Sequence, residues 1–392
     1  MFKTSIPQTE HYNRAQTLLS QAMNDGYDGI VLFSHLNIHY IAGIFHLPSE
    51  RPVVLGLTPD SCEMVIPRLE RGRIESMDSM VENIHIYYDY PQGQPMKLVK
   101  EMCESLGIHT RTIAADSDGS PSIKGYSGPA LSDVIPGRVG TVDYITDMRE
   151  CKTQNEIEII REASKWTHLG HNLLQEKISA GATPTVISSH VEAEATDILL
   201  STLGDEYVMT GWENPISCLF LSGEVTEEPH NLDQTNSVSV GDNIISLVSA
   251  TIGGYTTELE RTLFVGEPSE EQRHYFEIMK ESQEIAIDAM APGVEYGYIE
   301  RVVDQYYTEH KVEKYRQHHI GHSIGMEGHE RPFLDKGYDG TIRSGEIFAV
   351  EPGFYIEDVG GFRHSDTVVV QDNNAERLTK YPTDIDSLLV QP

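Results

Sequence analysis

Residues that could do chemistry gather in four polar clusters in the second half of the chain. The clusters are Pro229-His230-Asn231 and the stretches 254–262, 318–330 and 350–366. They place histidines, glutamates and arginines inside or beside apolar runs, where an unpaired charge is costly to bury. We therefore expect the fold to bring the four clusters together at one site.

Glu258 and Glu260 form the clearest pair for acid–base or metal chemistry. They stand two residues apart in the run Tyr255–Val265, which predicts a strand, so both side chains project from one face. Two carboxylates on one face repel each other unless a metal ion, an arginine or a proton lies between them. The pair predicts that one of these partners is nearby.

The first half of the chain predicts a smaller α/β domain, which we place at residues 1–147. Strands that alternate with helices are typical of this class. Without a GxGxxG motif or a P-loop, nothing in this half predicts nucleotide binding. The predicted helices are 9–25 and 96–106, and the predicted strands are 30–33, 53–57, 64–66, 84–88 and 112–115.

The second half predicts an α+β domain over residues 148–392. Its polar opening, 148–156, leads into a long helical pattern and marks the domain boundary. Helices grouped apart from antiparallel strands are typical of the α+β class. The predicted helices are 155–178, 184–202, 269–291 and 296–310, and the predicted strands are 244–251, 255–265, 347–356 and 367–370.

Acidic residues dominate the charge of the chain. Sixty-one acidic against 29 basic side chains give a net charge of −32. This balance argues against a nucleic-acid partner or an anionic membrane, since both need a positive protein surface. A dispersed acidic excess is expected of a protein from a saline cytoplasm. No apolar stretch approaches the ~18 residues of a membrane span, and the N-terminus lacks an apolar signal core, so we expect a cytoplasmic protein.

The order of the motifs resembles one known family. The chain carries, in sequence order, His230-Asn231, Gly254-Tyr255, Glu260-Arg261-Thr262, GHSIGMEGHE (321–330), VEPGFYI (350–356) and GGFRHSD (360–366). This order is similar to the catalytic domain shared by prolidase, aminopeptidase P, methionine aminopeptidase, creatinase and ectoine hydrolase. Segments 37–43 and 149–163 also resemble the accessory domain and the junction of that family. The resemblance implies a pita-bread catalytic domain after a creatinase/prolidase-type N-terminal domain, and a homodimer.

For the peptidases of this family, the resemblance implies two metal ions held by two aspartates, a histidine and two glutamates. The slots of His322 and Glu351 are intact, and Glu258 fills that of the second aspartate. The first aspartate falls at the apolar pair Leu247-Val248, and the last glutamate is replaced by Ser365. We therefore expect no dinuclear centre. If one ion binds, the resemblance implies Mn, Co or Zn on the three remaining ligands.

Within the family, the site motifs are most similar to those of creatinase, which hydrolyses a C–N bond without metal. That likeness implies that His230 relays protons and that Glu260 binds a cationic substrate. His322 and His329 are further acid–base candidates. The other candidates for substrate binding are Glu258, Glu351, Arg363 and His364, of which the arginine would hold a substrate carboxylate bidentately.

Three functions stay open on this basis. We favour a metal-independent, creatinase-like hydrolase of a C–N bond in a small nitrogenous molecule, with no cofactor, because two of the five ligand slots are lost. An ectoine-hydrolase-like enzyme is a close variant of it. The first alternative is a metal-dependent Xaa-Pro dipeptidase or aminopeptidase, and the second is a non-catalytic pita-bread binding protein. We expect a small-molecule substrate and neither a nucleic-acid nor a membrane partner.

Overall fold

A computed structural model of the chain describes residues 3–88, 94–119, 125–211 and 213–392. These residues divide into two compact units. One unit is Ile6–Met148, and the other is Arg149–Pro392 together with the chain start through Ser5. Each unit has its own sheet, and the four polar clusters all belong to the second unit.

The unit Ile6–Met148 is built on a six-stranded sheet. Its strands are β1 (Gly29–Leu32), β2 (Val54–Leu57), β3 (Cys62–Pro67), β4 (Asn83–Tyr87), β5 (Thr112–Ala115) and β6 (Arg138–Thr141). Its helices are α1 (Gln8–Asn24), α2 (His35–Ala42), α3 (Arg71–Ile74), α4 (Pro95–Ser105) and α5 (Leu131–Val134), with α6 (Tyr144–Glu150) at the boundary. The strand order β4-β3-β2-β1-β5-β6 mixes parallel and antiparallel pairs. Its apolar core includes the fully buried Met102, Cys103 and Ile113.

The helices of the second unit match the periodic apolar segments of the sequence, so all four predicted helices are confirmed. α7 begins at a capping box, in which the Thr153 hydroxyl accepts the Glu156 N–H and the Glu156 carboxylate accepts the Thr153 N–H. Ser269 and Gln272 form the same motif at the start of α9. The four helices are α7 (Gln154–Lys177), α8 (Pro184–Leu203), α9 (Glu270–Asp288) and α10 (Tyr296–His310).

The sheet of the second unit is antiparallel along its main path. Its strands are β7 (Ile216–Ser222), β8 (Asn243–Ile252), β9 (Tyr255–Val265), β10 (Gly321–Ser323), β11 (Glu330–Phe333), β12 (Ile347–Val350), β15 (Ser365–Val370), β16 (Ala375–Arg377) and β17 (Leu389–Val390), and β13 (Gly353–Ile356) and β14 (Gly360–Arg363) form a separate hairpin. The order is β11-β10-β12-β15-β9-β8-β7, with β16 beside β15 and β17 beside β9. β9 therefore lies inside the sheet, between β15 and β8.

The apolar run 347–356 predicts one strand, but the structure divides it into β12 and β13. The division falls at Glu351-Pro352. Pro352 has no N–H to donate to a strand ladder, and the Glu351 N–H donates to the Ile320 carbonyl at 2.8 Å. Glu351 thus lies at the end of β12, where its carboxylate is free to face other polar groups.

The fold class predicted from the sequence is confirmed. An α/β unit precedes an α+β unit, in which the helices are grouped apart from the antiparallel strands. Within the described ranges, none of the helices has both the length and the apolar character that crossing a membrane requires.

Candidate metal and active site

Three neighbouring strands present a row of side chains on one face of the sheet. Glu260 of β9 stands opposite Leu247 of β8 on one side and opposite Ser365 of β15 on the other. Directly paired residues project from the same face, and so do residues two apart on one strand. Glu258, two residues before Glu260, therefore projects from the same face in the next row. We call these four residues the site face.

Glu258, His322 and Glu351 converge beside the site face. One ligand atom from each lies within 4.8 Å of the others, and all three residues are buried. β9 supplies the first residue, β10 supplies the histidine, and the break after β12 supplies the second glutamate. Two carboxylates and one imidazole at this separation can hold a divalent ion and leave coordination positions open.

His322 is oriented for ligation through its Nε2 atom. Its Nδ1 atom lies 3.1 Å from the Ser323 carbonyl and donates to it when protonated, which leaves Nε2 as the ligating nitrogen. Nε2 lies 3.4 Å from Glu351 Oε1, within ion-pair range but without a well-formed hydrogen bond. The ring of His329 stacks on that of His322, with centroids 3.6 Å apart. A buried nitrogen without a hydrogen bond is what a metal ion would satisfy.

Burial and neighbouring charges set the protonation states of the three ligands. Burial alone would raise the pKa of Glu351, but His322 and Arg363 hold it at about 2. Burial alone would lower the pKa of His322, but the adjacent glutamates raise it to about 9. For Glu258, burial and the charge of Glu351 both raise the pKa. The raised pKa values of Glu258 and His322 both reflect in part the negative charge of neighbouring carboxylates, which a divalent cation would neutralise.

Glu260 is engaged by Arg363 rather than open to a substrate. Arg363 Nη2 donates to one Glu260 oxygen at 2.7 Å, and its Nε donates to the other. Its Nη1 donates at 3.0 Å to the hydroxyl of Tyr355, which also contacts His318 Nε2 at 2.9 Å. Burial raises the pKa of Glu260 and the guanidinium opposes that rise. Because both carboxylate oxygens accept hydrogen bonds, the pair has the pattern of an ionised, bidentate salt bridge.

This pair corrects two predictions. We expected Glu260 to bind a cationic substrate and Arg363 to hold a substrate carboxylate. In the structure each is the partner of the other, and both are buried. The physical reason is that each buried charge neutralises the other, and separating them would leave two uncompensated charges in the interior.

His364 does not belong to the site, and the prediction that it binds substrate is wrong. It lies between Arg363 and Ser365, which both contact site glutamates, so its side chain must point to the other face of the sheet. There it is fully buried, and its ring lies edge-on to Phe276 with centroids 5.3 Å apart. This alternation was readable from the sequence.

His230 and His329 lie on the solvent side of the site. Both are exposed. Burial of part of the ring, the charge of His322 and, more weakly, that of His230 lower the pKa of His329. The two histidines are therefore near enough to interact. The structure brings His329 directly onto a ligand, and it leaves His230 at the rim.

Two contacts escaped the sequence predictions. Tyr355 falls in the predicted strand 347–356, and His318 falls in the polar cluster 318–330, but neither was a candidate site residue. Their link to Arg363 depends on the β13–β14 hairpin, in which Gly353 pairs with Arg363. A hairpin between VEPGFYI and GGFRHSD was the available signal.

The described residues fit one divalent ion and do not fit a second. One ion would be held by the three residues above, among which His322 Nε2 lacks a well-formed hydrogen bond. For the second, the family resemblance requires carboxylates at Leu247 and Ser365. Leu247 is apolar, and the Ser365 hydroxyl donates to Glu258 Oε1 at 2.8 Å. Neither position supplies a negative charge.

Comparison with known proteins assigns a family model to each half of the chain. The sequence model of Metallopeptidase family M24 matches residues 158–372, and that of the Creatinase/Prolidase N-terminal domain matches residues 14–132. The chain is 31% identical over 368 residues to an Xaa-Pro dipeptidase of Pyrococcus furiosus, covering 94% of this chain and 97% of that protein. It is 26% identical over 357 residues to an Xaa-Pro dipeptidase of Pyrococcus horikoshii, covering 90% and 93%.

Among solved structures, an Xaa-Pro dipeptidase from Bacillus anthracis matches with a TM-score of 0.81 at 22% identity, over 98% of this chain and 100% of that one. This match confirms the predicted pita-bread fold and the domain that precedes it.

The favoured interpretation of a metal-independent, creatinase-like hydrolase is wrong. The matched family is one of metallopeptidases, and both relatives are named Xaa-Pro dipeptidases. We took the loss of two carboxylates to mean the loss of metal chemistry. The structure shows instead that three residues able to hold one ion lie together, so the expectation of no cofactor loses its basis.

Proposed function

Because this chain belongs to metallopeptidase family M24 and is therefore a hydrolase, we propose that it is a metal-dependent Xaa-Pro dipeptidase. The observation that carries the proposal is the convergence of Glu258, His322 and Glu351 within 4.8 Å. The substrate class comes from the two Pyrococcus relatives, which this chain matches over nearly their full length.

The three converging residues would hold one Mn, Co or Zn ion. When bound, such an ion polarises the scissile carbonyl and lowers the pKa of the attacking water. Glu351 needs no proton loss to serve as a ligand, since its pKa is about 2. Glu258 keeps its position through the Ser365 hydroxyl, which donates to its Oε1.

His329 is the best placed residue for proton transfer. Its ring lies against the ligand His322 and is open to solvent. Because its pKa is lowered, the imidazole is neutral at neutral pH. A neutral imidazole can accept a proton at one nitrogen and donate from the other. It is thus suited to protonate the prolyl nitrogen that leaves when the peptide bond breaks.

The small-molecule substrate expected from the sequence stays a prediction; a dipeptide would meet it, with His230 at the rim as a second contact. Arg363 does not take part in this contact, since its donors are directed to Glu260 and Tyr355. The homodimer, the cytoplasmic location and the saline source stay predictions.

The test is release of proline from Xaa-Pro dipeptides by the purified protein. The protein is first stripped of metal with a chelator and then supplied separately with Mn²⁺, Co²⁺ or Zn²⁺. We expect proline release only after metal is restored, and a loss of at least roughly 10³-fold in kcat/KM for His322→Ala, equivalent to about 4 kcal/mol. A series of Xaa-Pro dipeptides and Xaa-Pro-Xaa tripeptides separates dipeptidase from aminopeptidase activity.

The matched control is His190→Ala, which removes an exposed histidine of α8 and should leave the rate unchanged. Proline release that persists in the chelator, or in His322→Ala, would contradict the proposal that the activity depends on a metal ion. No release with any of the three ions would contradict the peptidase reading.

A further inference from the structure

The site face carries one carboxylate more than a single ion needs. Glu258 and Glu351 belong to the ligand set, while Glu260 lies one cross-strand row away, between Leu247 and Ser365. These two neighbours occupy the positions where the family resemblance expects ligands for a second ion. The only carboxylate in that row is therefore Glu260, and its partner decides what the row can bind.

That partner is already in place as part of the chain. Both oxygens of Glu260 accept hydrogen bonds from Arg363, and the Arg363 side chain is only 10% exposed. Arg363 Nε also lies 3.9 Å from Glu351 Oε2. One guanidinium thus faces two carboxylates of the site. Because arginine is not deprotonated in proteins, this positive charge is permanent.

The guanidinium is also fixed in direction. Its Nη1 atom donates to the Tyr355 hydroxyl, and Tyr355 is held in turn by His318. Arg363 is the last residue of the short strand β14, and its backbone N–H donates to the Thr262 hydroxyl at 3.0 Å. Because the backbone N–H and all three guanidinium nitrogens of Arg363 donate hydrogen bonds, the guanidinium keeps its position when an ion binds nearby.

We propose that Arg363, locked by Glu260, takes the place of a second metal ion, so that the site binds a single divalent ion. The proposal deepens the proposed function, since it defines the metal centre of the same site. A second ion would have to displace a bidentate guanidinium and then find only Glu260 as a new ligand. Glu260 and Arg363 are on this view positioning residues, which set how many ions the site accepts.

The experiment counts bound ions rather than activity. Metal-free protein is titrated with CoCl₂ by calorimetry, and bound cobalt is measured after removal of free ion. We expect one equivalent in the unaltered protein. Arg363→Gln leaves Glu260 unpaired beside the ligand Glu258, so Glu260 becomes free to hold a second ion next to the first. We expect a second, weaker equivalent in this variant.

Three further variants isolate the cause. Glu260→Gln and the double variant Glu260→Gln/Arg363→Gln both lack the spare carboxylate, so each should bind one equivalent. Arg363→Lys keeps a positive charge next to Glu260 and should also bind one. Near-identical far-UV circular dichroism and melting curves establish that each variant is folded. If Arg363→Gln is not folded, Arg363→Lys still tests the proposal, because a second equivalent in that variant would contradict it.

The outcomes separate this inference from the proposed function. Two equivalents in the unaltered protein, or a second equivalent in Arg363→Lys or in the double variant, would overturn the role of Arg363. A folded Arg363→Gln protein that still binds one equivalent would overturn it as well. The predicted ion counts without any proline release would support the single-ion centre and count against the peptidase function instead.

Discussion

Arg261 of β9 and Arg363 of β14 have their side chains on opposite faces of the nine-stranded sheet, and each forms a buried ion pair with a carboxylate. Arg261 pairs with Asp366 at 3.0 Å, and Arg363 pairs with Glu260. The rest of their partners differ. Arg261 donates to four backbone carbonyls, those of Glu260, Ser365, Tyr381 and Pro382. Arg363 donates only to side chains, those of Glu260 and Tyr355.

The difference shows how one kind of side chain serves two purposes in neighbouring strands. Donors spent on backbone carbonyls fix the path of the chain, so Arg261 holds β9, β15 and the C-terminal segment together. Hydrogen bonds donated to side chains do not fix the path of the backbone, and they determine the charge around those side chains. Arg363 therefore shapes the metal site, while Arg261 stabilises the fold that carries it.

The largest expected effect is on the structural side of this comparison. Arg261→Met removes a fully buried charge and leaves Asp366 without its main partner. Breaking a buried pair from one side costs about 3–5 kcal/mol, so we expect the free energy of unfolding to fall by about that much. Chemical denaturation followed by fluorescence measures the change.

The control for this variant is Arg273→Met, which breaks the exposed pair with Glu267 and should cost no more than about 1 kcal/mol. If Arg261→Met were as mild as its control, the structural role of Arg261 would be wrong. Cobalt binding by the folded fraction should stay at one equivalent, since this arginine does not face the site.

A smaller effect is expected from pH on the same structural face. His171 and His364 are fully buried there, and burial together with the positive charge of Arg261 lowers their pKa values well below the ordinary one. The folded form keeps both imidazoles neutral, while the unfolded chain takes up protons below about pH 6.5. Stability is therefore full above that pH and is lost as the pH falls below it.

Each such histidine contributes a slope of about 1.4 kcal/mol per pH unit below about pH 6.5. His364→Gln removes one titrating group, so the fall in unfolding free energy between pH 6.5 and 5.5 should be smaller than in the unaltered protein by about 1 kcal/mol, because the unfolded imidazole is only half protonated at the start of this range. Denaturation curves at a series of pH values provide the measurement. Equal slopes in the two proteins would mean that His364 is not buried in its neutral form.

The smallest effect belongs to the site face. Ser365→Ala removes the hydroxyl that donates to Glu258 at 2.8 Å. A hydrogen bond to a charged group is worth about 1.5–3 kcal/mol when buried, but the bound ion replaces part of that support. We expect cobalt binding to weaken up to about tenfold, which corresponds to about 1.4 kcal/mol. Ser189→Ala, on the exposed side of α8, is the control, and unchanged affinity in both would exclude a role for Ser365.

The sequence predicted the helices and the central strands well, because their apolar periodicity is strong and local. α7, α8, α9 and α10 all lie where the pattern placed them. Short strands such as β10, β11 and β14 were not predicted, because their glycines and polar residues lack the apolar run that marks equally short strands such as β1 and β5. The converging ligands followed from the motif order, whereas the link between Glu260 and Arg363 did not. It depends on the register of β9 against β15, and no pattern within either strand encodes that register.

The row Leu247–Glu260–Ser365 also constrains how such a site changes over generations. A carboxylate regained at the position of Ser365 would stand directly opposite Glu260, and like charges directly opposite each other in a sheet are destabilising. The same holds at the position of Leu247. Restoring an acid at either position therefore adds a second negative charge to a row whose one guanidinium, that of Arg363, already neutralises Glu260.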